Sequence, residues 1–229
     1  MEKPNKKYSV AIDGPSGAGK STLAKALAEE LRILYVDTGA IYRTIGCYAR
    51  RCGVDAGNTQ AVISLLPHVE IKMCYDDQGL QHMLLQDEDV TQEIRLPEMS
   101  LYASAVSAIP EVRAFLLEMQ RSFARTSSVI MDGRDIGTVV LPDAQVKIFL
   151  QADVEIRARR REKELLERGT PRPFEQVLEE LKERDYNDTH RAAAPLRPAS
   201  DAVVVDTSHL DFQQSKERLL EIIREKVGI

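Results

Sequence analysis

Residues 8–23 read YSVAIDGPSGAGKSTL, and the order of residue types in this stretch decides the fold. Tyr8–Ile12 is a short apolar run, and Lys20–Leu31 carries Leu23, Leu27 and Leu31 four apart, one apolar stripe of a helix. Between them Gly14-Pro15-Ser16-Gly17-Ala18-Gly19-Lys20-Ser21 fits G-x-x-x-x-G-K-[ST] in the strand–loop–helix setting that gives this pattern its meaning. Glycines let backbone N–H groups close around phosphate oxygens with no Cβ in the way. A helix that starts near Gly19 turns the positive end of its dipole toward the anion. Lys20 would reach the β- and γ-phosphates, and Ser21 would ligate the Mg²⁺ that bridges them.

Outward from this loop, four more apolar runs read as strands: Ile33–Val36, Val129–Met131, Val146–Leu150 and Ala202–Val205. Their hydrophobicity is continuous rather than alternating, as in strands covered on both faces. Helical patterns lie between them at Pro110–Arg125, Val154–Arg168, Phe174–Arg191 and Phe212–Val227. Alternating strands and helices predict a three-layer α/β/α core around a five-stranded parallel sheet. His68–Asp77 and Leu80–Val90 alternate in character around Gly79, which predicts a small antiparallel hairpin. The expected organisation is a core over residues 1–66 and 110–229 with an insertion over 67–109.

Composition narrows the function classes. A net charge of −5 argues against a nucleic-acid or membrane-surface partner, yet basic residues gather at Arg157, Arg159, Arg160 and Arg161 and again at Arg184, Arg191 and Arg197. A local cationic cluster in an acidic chain suits a small anionic substrate. The three cysteines, Cys47, Cys52 and Cys74, form no disulfide framework, and Cys47 and Cys52 read as buried core thiols in a reducing compartment. The basic lead-in MEKPNKK precedes no secretory apolar region, and no stretch is long enough for a membrane span, so a cytoplasmic protein is expected.

A phosphate loop alone serves kinases, GTPases and ATPases. The Asn-Lys-x-Asp guanine motif is missing, since Asn5-Lys6-Lys7-Tyr8 lacks the acid. Val129–Met131 ends in Asp132-Gly133-Arg134-Asp135: an acid at a strand's carboxyl end, placed to orient Mg²⁺ or its waters, then an arginine able to fork onto a phosphate. This supply of residues points to a second phosphate rather than to a polarised water.

Five motifs in this order, GPSGAGKST, VDTGAIYR (Val36–Arg43), DGRDIGTVV (Asp132–Val140), KERDYND (Lys182–Asp188) and RAAAPL (Arg191–Leu196), make the chain resemble bacterial cytidylate kinases from about Tyr8 to Val227. The resemblance implies transfer of the γ-phosphate of ATP to CMP or dCMP. It implies that Gly14 to Thr22 hold ATP, and that the 67–109 insertion binds the monophosphate. Arg43, Arg134 and Arg191 would hold the CMP phosphate, Ser104, Arg113 and Asp135 the cytosine, and Arg184 and Asp188 the ribose. Thr38 stands where many relatives have serine and keeps the hydroxyl. Ser21 stands where a glycine often follows the lysine, which leaves either Ser21 or Thr22 to face the metal, with Asp132 behind it.

The base assignment is chemically consistent: a carboxylate accepts from the cytosine amine, and a guanidinium donates to N3 and O2. Uracil reverses that edge, so UMP should be a poor substrate. The acceptor is already an anionic oxygen and needs no general base, so catalysis falls to Lys20, Arg134 and Asp132 through position and charge. Arg157 and Arg161 share a helix face and are expected on an arginine-rich lid, about 157–172, that closes over the polyphosphate. A kinase for UMP or AMP is the nearest alternative, and an ATPase the next. A monomer is expected, because no repeating apolar seam demands a partner.

Overall fold

The computed structural model describes residues 7–167 and 169–229; residues 1–6 of the lead-in and Arg168 at the expected end of a helix lie outside them. In chain order the elements are β1 (Ser9–Asp13), α1 (Lys20–Leu31), β2 (Leu34–Asp37), α2 (Thr38–Arg51), α3 (Thr59–Leu65), β3 (Ile71–Tyr75), β4 (Gln81–Leu85), β5 (Glu88–Asp89), α4 (Met99–Ser107) and α5 (Pro110–Thr126). Then come β6 (Val129–Gly133), β7 (Val146–Gln151), α6 (Val154–Glu167), α7 (Phe174–His190), β8 (Val203–Asp206) and α8 (Phe212–Val227). Two compact units result: the chain up to Ile33 together with Ser127–Ile229, and Leu34–Thr126.

The first unit contributes four parallel strands in the order β6-β1-β7-β8. The register sets Asp13 beside Gly133 and Ile12 beside Ile148. Val10, Ala11, Ile12, Val129, Ile130 and Met131 are wholly buried, which explains their unbroken apolar character. α1 packs on β6 and α8, and it buries Leu23 and Leu27 while α8 buries Leu219 and Ile223. Each such side chain contributes about 1.5–3 kcal/mol by leaving water. α8 is started by a reciprocal cap: Asp211 accepts from the Gln214 N–H at 2.8 Å, and Gln214 accepts from the Asp211 N–H at 3.0 Å. α6 and α7 close on each other through Ala158, Leu165, Val177 and Leu181. Together with β2, which opens the second unit, the parallel sheet counts five strands, and helices flank it as expected.

In the second unit β3 and β4 pair antiparallel, Ile71 opposite Leu85, around a turn with Gly79 at φ +73°. The run 80–90 is not one strand. Gln86 and Asp87 both take positive φ, at +50° and +65°, and turn the chain back so that Leu84 faces Asp89 on β5. α2 packs against α4 at a point where a Cβ on Gly46 would lie 2.7 Å from the Tyr102 Cβ, so only glycine fits. This unit is wider than the 67–109 insertion, since it also holds β2, α2, α3 and α5. The cysteine reading is corrected in part: Cys47 is buried, but Cys52 at the end of α2 is exposed, as is Cys74. Among the described residues no helix is long and apolar enough to cross a membrane.

Candidate active site

The phosphate loop leaves β1 at Asp13. Gly14 has φ +148°, and a Cβ there would sit 2.0 Å from the Leu150 carbonyl oxygen, so the loop can start at this point only with glycine. Gly19, at φ +86°, caps α1. Lys20 is the first residue of that helix and is 5 % exposed, with its ammonium donating to the Pro15 carbonyl at 2.7 Å. Burial lowers its pKa, Arg134 and Arg184 lower it further, and Asp132 and Asp188 pull it back. Ser21 and Thr22 are both exposed residues, and it is the Ser21 hydroxyl that donates to Asp132 Oδ2, at 2.7 Å. Of the two hydroxyls, Ser21 is therefore the one engaged with the carboxylate at the end of β6.

Beyond Asp132 the chain presents Arg134 and Asp135, then one wide helical turn at Ile136–Val140. Arg134 Nε donates to Asp188 on α7 at 2.7 Å. Burial would raise the Asp188 carboxyl, but Arg134, Arg184 and Arg191 outweigh it and hold the group below its usual range. Arg191 Nη2 lies 3.8 Å from the buried Asp135 carboxylate, and its Nε donates to the Ala194 carbonyl. The first unit thus gathers the loop, Lys20, Ser21, Asp132, Arg134, Asp135, Arg184, Asp188 and Arg191 at one end of the sheet.

The second unit holds the other expected residues. Asp37 caps α2 by accepting the Ala40 N–H at 2.9 Å, and it pairs with Arg43 Nη2 at 2.8 Å. Arg43 Nε is buried with no protein acceptor. Thr38 is buried in the first turn of α2. Gln81 on β4 clasps Asp37 by its backbone, accepting from its N–H at 2.8 Å and donating to its carbonyl at 3.3 Å. Arg113 donates to the Ser107 carbonyl at 3.1 Å, and its guanidinium lies 5.6 Å from the centre of the Tyr42 ring. Ser104, half-buried on α4, accepts from the Ser107 hydroxyl through its backbone carbonyl.

The expected lid needs correction at Arg157. This side chain is 4 % exposed and lies under the loop: its Nε donates to the Ala152 carbonyl at 2.8 Å, and Nη1 donates to the Ser16 carbonyl at 2.9 Å. Its fork also closes on Asp185 of α7, at 3.2 and 2.6 Å. A guanidinium committed to two carbonyls and a carboxylate is a strut, not a hand that closes. Arg160 donates to the Thr207 carbonyl at 2.6 Å, Arg159 lies over Phe174, and Arg161 pairs with Glu164 at 2.7 Å while remaining 30 % exposed.

Sequence reasoning missed Asp13 and Asp185. Asp13 had the signal that singled out Asp132, an acid at the carboxyl end of a strand. Asp185 had none, because nothing in KERDYND says which acid turns inward.

Residues 10–225 match the family model for cytidylate kinase. A cytidylate kinase of Caldicellulosiruptor saccharolyticus is 46 % identical over 97 % of this chain and 98 % of its own length. That of Geobacillus kaustophilus is 47 % identical over 97 % and 99 %, and that of Salmonella typhimurium 47 % over 96 % and 96 %. An uncharacterised protein of Eubacterium ventriosum, 14 % identical over 95 % of this chain and 98 % of its own, has the same fold at a TM-score of 0.50. With its loop, its sheet and nearly its whole length matched, the chain belongs to the cytidylate kinase family.

Proposed function

We propose that the chain transfers the γ-phosphate of ATP to CMP or dCMP, giving ADP and CDP or dCDP. The observation that carries this reading is the crowding of like charge at the phosphate loop. Lys20 is buried beside Arg134 and Arg184, and both disfavour its charge. A polyphosphate is the ligand that relieves such a set.

Ser21 and Asp132 fit Mg²⁺. Among the described residues no group of three metal-binding side chains forms. A hydroxyl and one carboxylate still suit an ion that keeps several waters and takes phosphate oxygens for the rest. Held by Ser21 and Asp132, such an ion would offset the charge of the transferring group. Lys20 and Arg134 then hold the phosphoryl in line, and no proton need be removed from the acceptor.

For the acceptor, Arg43, Arg134 and Arg191 take the phosphate, Ser104, Arg113 and Asp135 the cytosine edge, and Arg184 and Asp188 the ribose, with Thr38 donating its hydroxyl. A mispaired base edge costs about 1–3 kcal/mol, so UMP is used roughly tenfold to a hundredfold less well. Arg161, whose partner Glu164 is partly exposed and on the same helix, is the α6 arginine free to exchange onto phosphate. The setting is pyrimidine nucleotide metabolism in the cytoplasm, with the enzyme acting as a monomer.

The test is ADP production from Mg·ATP with CMP, dCMP, UMP, AMP or no acceptor, in wild type and Asp135→Ala. Turnover that depends on CMP or dCMP, and loses its preference over UMP in the variant, supports the reading. A preference for UMP or AMP moves the assignment within the kinases. Equal ADP release without acceptor makes the protein an ATPase.

A further inference from the structure

Asp13 is an unclaimed acid at the centre of the first unit. It is the last residue of β1, immediately before Gly14, and is 4 % exposed. Its two carboxylate oxygens are both taken by backbone amides that follow Arg134 and Asp135. Oδ1 accepts the Ile136 N–H at 2.7 Å and Oδ2 the Gly137 N–H at 2.7 Å. Those donors open the wide turn that follows Arg134 and Asp135, whose Asp135 carbonyl accepts the Val139 N–H at 2.8 Å. The register brings this about, because Asp13 sits beside Gly133 on neighbouring parallel strands. Around the carboxylate stand Lys20, Asp135 and the stem of Lys147, whose ammonium is paired with Asp201 at 2.9 Å. A Cβ on Gly137 would lie 3.4 Å from Asp13 Oδ2 and 3.2 Å from the Lys147 stem, so the turn has little room to shift.

We infer that Asp13 is a positioning residue that ties the loop binding the phosphate donor to the loop bearing Arg134 and Asp135, and so fixes how the acceptor is held. The inference rests on the acceptor role proposed for those two residues. Asp13 touches no reacting atom. Its two short bonds to consecutive amides hold the turn in one orientation, as a carboxylate does at a helix start. An amide in its place can accept from only one of the two N–H groups and sets its own NH₂ against the other.

The experiment compares wild type, Asp13→Asn and Asp135→Ala in full kinetics with CMP and UMP, and in Mg·ATP binding. Asp13→Asn should raise the KM for CMP about tenfold to a hundredfold, the worth of one charge-assisted hydrogen bond, and narrow the CMP-to-UMP preference. The KM for ATP should move less than about threefold on the same reasoning, since both oxygens bond amides outside the donor loop. A rise in both KM values together, or in neither, overturns the inference. Gly137→Ala, which crowds the same oxygen from the other side, is the second variant should Asp13→Asn not fold, and it should show the same split on a smaller scale. Hydrogen exchange at the Ile136 and Gly137 amides adds an independent readout, faster in Asp13→Asn if the bonds are as described and unchanged if they are not. If Asp135→Ala keeps full CMP preference, the base-reading role of Asp135 fails. A CMP-specific KM rise in Asp13→Asn would then still support the coupling.

Discussion

At the phosphate loop Arg134 and Arg184 disfavour the charge of the buried Lys20, whereas on α6 the arginines have each taken a protein partner. Both regions are rich in positive charge, and in the sequence the second is the richer. The difference lies in what answers the charge. On α6 it is answered by Asp185, Glu164, carbonyl oxygens and an aromatic face. At the loop Asp132 and Asp188 answer it for Arg134 but only in part for Lys20, whose pKa stays lowered, and that lysine is the place for an anion. Cationic density alone does not mark an anion site; the balance of charge after folding does.

The largest break in this comparison is Lys20→Met. Removing a positioned cation should lower kcat/KM by about a hundredfold to a thousandfold. Because the fold disfavours this charge, the melting temperature of the ligand-free protein should hold or rise. A fall in melting temperature would mean that the lysine is a structural partner like those on α6.

Next is the acid beside it. Burial raises the Asp13 pKa from 3.8 to about 6 against two backbone bonds that lower it. The folded state therefore holds this proton more tightly than the unfolded chain. Asp13 favours folding most at low pH, and that contribution is lost as pH rises from about 4 to about 6, by up to about 3 kcal/mol. Asp188 has a lowered pKa and slopes the other way, so the measurement is the difference in unfolding free energy between wild type and Asp13→Asn across that window. No pH-dependent difference would mean that the carboxylate is better solvated than its burial implies.

Arg157→Met should act on stability first. It strands Asp185 and the Ser16 and Ala152 carbonyls, at about 1–3 kcal/mol, with a smaller loss of activity per folded molecule. Full stability with activity lost would restore Arg157 to the lid. The smallest effect belongs to Arg161→Ala: its i,i+3 pair is worth about 0.2–0.5 kcal/mol, so denaturant midpoints should barely move. Loss of one phosphate contact should still lower kcat/KM about tenfold. An unchanged rate would leave Arg161 a surface residue.

What could be read in advance follows the same physics. β1 and β6 announced themselves because burial on both faces leaves an unbroken apolar run, while β2 and β8 carry such runs although they are only partly buried; α1 and α8 begin and end where their leucine stripes and the Asp211 cap place them. α2 gave no such sign. Thr38, Gly39, Thr44 and Gly46 are poor helix formers, and the helix exists because α4 packs onto its small face at Gly46. The break between β4 and β5 rests on Gln86 and Asp87 at positive φ, which neither residue type demands. At the site, Lys20, Ser21 and Asp132 were legible from the loop motif and the strand end, whereas the pairing of Arg134 with Asp188 was not. The inward turn of Arg157 was not, because helical periodicity says which residues share a face and not what that face meets.

The central claim is that Lys20 is held below its ordinary charge range until phosphate arrives, and NMR titration of the labelled Lys20 side chain with and without Mg·ATP tests it most directly. The account predicts that the ammonium titrates well below free lysine in the ligand-free enzyme and moves upward when nucleotide binds. A Lys20 that titrates as free lysine does, and does not move with ATP, would contradict it.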